Sequence, residues 1–491
     1  MQEELFATHS MVKVGTLTQG FLAILTAALL VVSGQILTEQ SSPMVEDLPE
    51  FVEGIPGLPD PDSQRITSKF LPGSESWKSW QNRTSSTKKG RKKSRTPLSG
   101  FLTSLHDLVQ KPDQSRVRVA YFGDSMIEGD RITQSLRNDM QDMFGGSGVG
   151  FVPIVYAYYG DRRTIWHRFS NDWEDYNFMK PRRSDAHYGI SGEYFLTRNK
   201  SNRGRTWVRY KGSDEYPRTQ IFEQVYLYYG TKEDGSNSDQ DYYVVSNTQD
   251  QKDTAFLAGD RIVNGVALSN QPTEDIKLNF NIPGDMPVFG MSFESESGIF
   301  VDNFSARGHS GMNLVDIPGE NLKAFHELLD YDLIILQFGL NVVSPNRRNF
   351  SSYEKGMKKV VEHFQKHCPG VDILLVSVSD KSTRIKGVLQ TDPSVPLIVD
   401  AQRRVAENTG TGFLNLYQSM GGRNSMIQWV KAKPSLARND YAHPNRRGAV
   451  KVGEIVKDYL LKEYEAEYGP LKKEKEDNTF ASIFPYAPTQ N

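Results

Sequence analysis

The sequence predicts an α/β fold built on a parallel sheet, interrupted by an inserted all-β sandwich and preceded by a transmembrane or signal helix. Three observations carry this. Val117 to Phe122 is a β-branched and aromatic run that ends abruptly in Gly123-Asp124-Ser125, and Ile132, Leu136, Met140 and Phe144 then recur four apart, as on one face of a helix. From Phe151 to about Pro287, aromatic strand-like runs alternate with turn signals, and helical periodicity is scarce. The α/β rhythm returns at Val288, and Leu333 to Phe338 is a continuous apolar run of the kind a parallel sheet buries on both faces.

The chain has 491 residues, too many for one ordinary core. Its 58 basic and 60 acidic residues leave a net charge of −2, so the overall charge gives no argument for nucleic-acid binding. Cys368 is the sole cysteine, which excludes a disulfide within the chain and a cysteine-rich zinc site.

Leu17 to Leu37 is mostly apolar and uncharged, close to the ~20 residues a helix needs to cross a bilayer. Lys13 alone precedes it as a cation, against Glu3 and Glu4, and Ser33-Gly34 offers a cleavage site. A retained signal anchor, a cleaved signal peptide and a buried helix are the readings, in that order. The first two place the rest of the chain outside the cytoplasm, in a cell envelope and anchored to the inner membrane if the helix is retained.

Residues 38–96 read as a linker, punctuated by Pro43, Pro49, Pro56, Pro59 and Pro61 and ending in a basic run from Lys88 to Arg95. That run reads first as a solvated tether and second as an attachment to an anionic wall polymer or lipid surface. Leu98, Phe101, Leu102, Leu105 and Leu108 then recur at helical spacing. The expected organisation is a tail at 1–16, the signal segment at 17–37, the linker at 38–96, a first α/β segment at 97–150, the inserted sandwich at 151–287, a second α/β segment at 288–465 and a tail at 466–491.

Within the second segment, Tyr353 to His367 and Ile398 to Asn408 read as helices, and Val371 to Val378 and Phe413 to Leu416 as strands. Arg447 to Tyr464 reads as a final helix capped by Asn445. Three positions at strand ends or helix starts complement one another chemically. Ser125 is an alcohol that needs a base to become a nucleophile, and His443 can supply it. Asp440, three residues before that histidine, can hold the imidazole in the right tautomer. Asn341 carries an amide that can stabilise an oxyanion, together with the backbone N–H of Ser125 and of a glycine. Asp124 reads as a support for the turn.

Gly123-Asp124-Ser125, Gly308-His309-Ser310-Gly311, Gly339-Leu340-Asn341 and Asp440-Tyr441-Ala442-His443 occur in that order, and together they resemble the four blocks of the SGNH (GDSL-type) hydrolases. The resemblance covers about 117–150 and 288–465. It implies a flavodoxin-like three-layer fold, a catalytic triad of Ser125, Asp440 and His443, and an oxyanion hole made by Ser125, Gly311 and Asn341. Gly308 competes with Gly311 for the last role. The closer likeness is to the peptidoglycan O-acetylesterases of that superfamily, which carry a carbohydrate-binding-like sandwich between the first two blocks. Gly148 to Pro153, Met420-Gly421-Gly422 and Trp429 are similar too. The sequence departs from that group at Val342, where an acidic residue is usual, and at Pro444-Asn445, where Leu-Thr is usual.

The resemblance therefore implies a serine esterase acting on an O-acetylated glycan, peptidoglycan first, with no metal and no organic cofactor. The rivals are an O-acetyltransferase, a wall-binding protein that does no chemistry, and a lipase. In the inserted region, His167, His187, Asp161, Asp172 and Asp185 match no metal cage, and Trp166, Trp173 and Trp207 read either as core or as platforms for sugar rings. The stretch from Leu471 to Asn491 suggests no function.

Overall fold

The computed structural model describes residues 96–156, 162–179, 187–198, 205–232, 242–249, 251–269 and 271–471. The apolar segment at 17–37, the linker up to residue 95 and the tail from residue 472 lie outside the described residues. Among the described residues, no helix is long and apolar enough to cross a membrane.

The chain enters through helix α1 (Ser99–Gln110), strand β1 (Arg116–Gly123), helix α2 (Thr133–Phe144) and strand β2 (Gly150–Pro153). Among the described residues, nine further strands follow before β12: β3 (Ile165–Phe169), β4 (Trp173–Asn177), β5 (Glu193–Thr197), β6 (Thr206–Gly212), β7 (Gln224–Tyr229), β8 (Tyr243–Asn247), β9 (Lys252–Phe256), β10 (Asn264–Ser269) and β11 (Asp275–Asn281). The remainder comprises β12 (Val288–Glu294), β13 (Gly298–Ser305), α3 (Gly319–Leu329), β14 (Leu333–Gln337), α4 (Ser351–His367), β15 (Asp372–Val376), the hairpin β16 (Ser382–Ile385) and β17 (Val388–Thr391), α5 (Val395–Thr409), β18 (Gly412–Leu414), α6 (Leu416–Ser419), α7 (Ser425–Lys431) and α8 (Arg446–Tyr468).

Five strands make one wholly parallel sheet in the order β13-β1-β14-β15-β18. Numbered along the chain within that sheet, the order is 2-1-3-4-5, which is the flavodoxin-like arrangement. The period of two along each strand divides the core. Ala120, Phe122, Ile334, Leu336, Ile373 and Leu375 point to one face, where Leu322, Phe325, Val360, Phe364, Ile398 and Val405 of α3, α4 and α5 cover them. Val119, Tyr121, Leu333, Ile335, Leu374 and Val376 point to the other, under α1, α2 and α8. Each such side chain contributes about 1.5–3 kcal/mol on burial, so a continuous apolar run in β14 is what a strand covered on both faces requires.

The region between β1 and β13 forms two antiparallel sheets. One has the order β10-β7-β12-β5-β4, with β2 paired to β12; the other has the order β3-β6-β11-β8-β9. Val225, Leu227, Val288 and Met291 of the first share a core with Val208, Tyr210, Ile276 and Leu278 of the second. The first sheet also turns a face to the α/β unit: Phe289 lies edge-on to Phe325 at 5.2 Å, and Phe151 lies 5.5 Å from Phe304.

These pairings move the expected boundaries. Val288–Glu294 was expected to begin the second α/β segment, but β12 pairs with β7, β5 and β2, so the α/β unit resumes at β13. The physical reason is that β12 is buried at every position, which erases the alternation that marks a sheet with one wet face. At the other end, β2 begins at Gly150, inside the segment expected to close the first α/β part. The last helix runs to Tyr468, beyond the expected limit at 465. The hairpin β16–β17 was not expected at all.

A buried ionic knot joins the two parts. Arg118 of β1 donates from Nε to Asp302 Oδ2 on β13 at 2.8 Å, from Nη2 to Ser292 Oγ on β12 at 2.8 Å, and from Nη1 to Glu294 Oε1 on β12 at 2.5 Å. Asp302 Oδ1 also accepts from Phe151 N at 2.8 Å, and Asp302 Oδ2 from Tyr331 Oη at 2.6 Å. A charge buried this deeply is tolerable because every partner is present.

Candidate active site

Open α/β sheets hold their ligands beyond the carboxyl ends of the strands, where the strand order reverses. Here that point lies between β1 and β14. Gly123 is in register with Gln337 of β14 on one side and with Ser305 of β13 on the other, so the three loops after these strands begin side by side. They carry Ser125, Asn341 and Gly311.

The turn after β1 is built for close quarters. A Cβ on Gly123 would lie 2.9 Å from the Ile127 side chain and 3.2 Å from Gln337 O. Asp124 is buried, and its Oδ1 accepts from Met126 N at 3.0 Å. Burial pushes its carboxyl up to about 7 against these backbone donations. The expected strand–turn–helix is longer than the sequence suggested: a single 3₁₀ turn, Glu128–Asp130, separates Ser125 from α2, which starts only at Thr133. Ser125 is therefore not seated on an α-helix N-terminus. Thr133 and Asp130 are bonded to each other there, and Arg137 holds Asp130 from α2 at 2.7 Å.

From the far end of the chain, the loop before α8 delivers the base. Asp440 Oδ1 accepts from Ala442 N at 2.9 Å and His443 N at 3.0 Å, while its Oδ2 lies 2.9 Å from His443 Nδ1. Burial works to raise the Asp440 pKa, but donation from the His443 and Ala442 backbone and from the His443 ring holds it below the usual carboxylate range. An ionised carboxylate only accepts, so Nδ1 carries the ring proton and Nε2 is left as an acceptor. Nε2 is 3.0 Å from Ser125 Oγ. Two further bonds hold the loop: Arg438 N donates to His443 O at 2.9 Å, and Ser382 N of the β16–β17 hairpin donates to Tyr441 O at 2.9 Å. Asn445 caps α8, its side chain accepting from Gly448 N at 3.1 Å.

The residues expected to form an oxyanion hole converge on the same place, but they are engaged. Asn341 Nδ2 donates to Asp124 Oδ2 at 3.0 Å and to His309 O at 2.9 Å, which uses both amide hydrogens. Gly311 N donates to His309 Nδ1 at 3.2 Å. Gly311 has φ +88° and a Cβ there would lie 2.8 Å from the Phe338 ring, so this position requires glycine. Gly308, the competitor, has φ +76° but nothing within 4 Å of an added Cβ. His309 itself is buried, and burial pulls its pKa down to about 4.

Elsewhere, His167 is a core residue: Nε2 lies 3.0 Å from Ile154 O and the ring stacks on Tyr210 at 4.3 Å. Asp161 and Asp185 fall outside the described residues. Among the described residues, no group of three or more His, Cys, Asp or Glu side chains could hold a metal ion. Trp173 is buried edge-on against Phe280, whereas Trp166 is 41% exposed under Arg168 and Trp207 lies under Lys277.

Sequence reasoning missed the tie between Tyr441 and the hairpin, because that contact is a backbone bond and has no residue-type signature. It also missed the engagement of both oxyanion candidates by His309. Gly308-His309-Ser310-Gly311 placed His309 nearby, but nothing in the sequence showed where its Nδ1 points.

No protein-family model matches the chain, and no curated protein matches it. Among solved structures, the chain is similar to a peptidoglycan O-acetylesterase at 19% identity, over 76% of this chain and 97% of that one, with a TM-score of 0.59. It is also similar to an acetyl xylan esterase at 17% identity, over 33% of this chain and 81% of that one, with a TM-score of 0.25. An acetylxylan esterase from Geobacillus stearothermophilus matches at 18% identity, over 34% of this chain and 74% of that one, with a TM-score of 0.26. At these identities the first likeness is one of fold, and it extends over nearly the whole of the first neighbour's length.

Proposed function

We propose that the protein is a serine ester hydrolase that removes O-acetyl groups from a cell-envelope glycan, most readily peptidoglycan. One observation carries the reading: an unbroken relay from Ser125 Oγ to His443 Nε2 at 3.0 Å and from His443 Nδ1 to Asp440 Oδ2 at 2.9 Å, at the reversal point of the sheet. The fold shared with a peptidoglycan O-acetylesterase supports the choice of glycan. The paired sheets between β1 and β13 support it as well, read as a carbohydrate-binding-like sandwich with Trp166 and Trp207 on its accessible side. On the same reading the segment at 17–37 holds the chain at the envelope.

In this mechanism His443 takes the Ser125 hydroxyl proton as Oγ attacks the ester carbonyl. Asp440 orients the ring and stabilises the imidazolium. The Ser125 N–H receives the oxyanion, and Gly311 N and Asn341 Nδ2 share with it the hydrogens they direct at His309. As the C–O bond to the sugar breaks, His443 returns its proton to the sugar oxygen and an acetyl-serine remains. Water, deprotonated by His443, attacks that ester and releases acetate and the free serine.

The test is acetate release from O-acetylated peptidoglycan, acetylated xylan and a chromogenic acetate ester, with and without a glycan acceptor. Ser125→Ala is expected to abolish release and covalent labelling by a serine-reactive phosphonate while leaving the melting temperature unchanged. Unaltered release by Ser125→Ala removes the mechanism. Release that occurs only as transfer to the acceptor replaces hydrolysis by acetyl transfer.

A further inference from the structure

We propose that His309 is the positioning residue of the oxyanion hole, and that Phe178 of the inserted β region holds it in place; the inference rests on the esterase reading above. Both donors that the hole requires besides Ser125 N terminate on this one residue. Its carbonyl accepts from Asn341 Nδ2 at 2.9 Å, and its ring Nδ1 accepts from Gly311 N at 3.2 Å. The first keeps the Asn341 amide plane turned towards the turn that bears Ser125, because its other hydrogen is on Asp124 Oδ2.

The ring is neither free nor an ordinary core ring. Phe178 packs on it at 4.6 Å and Phe338 meets it edge-on at 5.7 Å. His309 is 3% exposed, and its Nε2 has no hydrogen-bond partner among the described residues. Since Nδ1 accepts from Gly311, Nε2 carries the proton. A buried N–H without a partner is a desolvation cost that phenylalanine or leucine would avoid. Packing alone therefore does not explain a histidine here, whereas an acceptor for Gly311 N does.

Phe178 follows β4 and belongs to the inserted region, so the oxyanion hole of the α/β unit is buttressed from outside it. The buttress is itself fixed. Phe178 N donates to Gly192 O at 3.2 Å, and a Cβ on Gly192 would fall 1.6 Å from the Phe178 ring. Tyr188 meets Phe178 edge-on at 6.3 Å and its carbonyl accepts from Asn321 Nδ2 of α3 at 2.9 Å. The seat of the inserted region against α3 thus sets the position of His309, and His309 sets the two donors.

The experiment compares His309→Leu, His309→Asn and Phe178→Ala in the full chain, reading kcat, KM, the acetyl-enzyme burst and the melting temperature on an ester the wild type cleaves. In the Asn variant, Oδ1 replaces Nδ1 as acceptor for Gly311 N. His309→Leu is expected to lower kcat and the burst rate by about 10²–10³, the size of a lost oxyanion donor, with KM nearly unchanged. His309→Asn is expected to restore most of that loss, and Phe178→Ala to fall between the two. A His309→Leu variant with wild-type kcat overturns the proposal. So does an Asn variant that folds but is as impaired as Leu, and if Leu does not fold, Asn and Phe178→Ala decide. A wild type without activity on any ester would instead remove the esterase reading, which is a separate outcome.

Discussion

Ser125 gains its proposed reactivity from one nitrogen, and that nitrogen is an acceptor only because Asp440 keeps the proton on the other side of the ring. The Asp440 side chain is 45% exposed and that of His443 33% exposed, so water screens part of their attraction. Asp440→Asn disturbs the tautomer, which in a buried triad costs about 10⁴ in turnover. In this half-exposed setting the expected loss is smaller, on the order of 10²–10³ in kcat. Steady-state acetate release measures it, and a loss below about threefold would remove the aspartate from the relay. These three residues were legible in the sequence because each belongs to a short local pattern whose chemistry is incomplete without the others. His309 was not legible in the same way. Its role depends on the direction of one ring nitrogen and one carbonyl, which the turn from Ala306 to Gly311 sets and no spacing reveals.

At the level of the element, the loop after β13 contains two glycines with positive φ, and only one of them is crowded. Gly311 faces the Phe338 ring, while Gly308 faces open space. Gly311→Ala must displace Phe338 and with it the Gly311 N–H, so it is expected to lower kcat by at least about 10² and to lower the melting temperature. Gly308→Ala meets only the backbone cost of a left-handed residue, about 1–2 kcal/mol, and is expected to keep its kcat. Equal kcat in the two variants would undo the assignment of Gly311. The strand elements show where sequence reading works and where it stops. β14 and β15 announce themselves as apolar runs, and β14 is followed by the loop that carries Asn341. β12 looks the same, yet it belongs to a different sheet, because Phe289 on one face and its neighbour Val288 on the other are buried by different partners. A run that is apolar on both faces says that a strand is covered twice but not by what. The β16–β17 hairpin, with Val388 62% exposed at its tip, has no apolar pattern to announce it.

Across the whole molecule, the inserted region and the parallel sheet are held together by Arg118, and this makes their union sensitive to acid. Burial works to raise the Glu294 carboxyl, but Arg118 and Arg116 outweigh it and hold it at about 2, against 4.5 for the free side chain. A carboxyl whose folded value is depressed binds fewer protons in the folded state, so its contribution is complete above the unfolded value and is lost as pH falls towards the folded one. Between pH 7 and 3.5 that loss is on the order of 1 kcal/mol. Glu294→Gln removes this titration and leaves Arg118 short of one charged partner, a change that costs about 3–5 kcal/mol at neutral pH. Urea unfolding of the wild type and the variant should therefore show a stability gap that is widest at pH 7 and narrower by on the order of 1 kcal/mol at pH 3.5. A gap that stays constant over that range would mean that Glu294 is not held as a carboxylate by Arg118. The same knot bears on activity, because Asp302 lies on β13, directly ahead of the loop that carries His309 and Gly311, and also accepts from Phe151 N of the inserted region. Loosening it should displace Phe178 and His309 together, so Glu294→Gln is expected to lower kcat at neutral pH although it lies outside the proposed Ser125–His443–Asp440 relay.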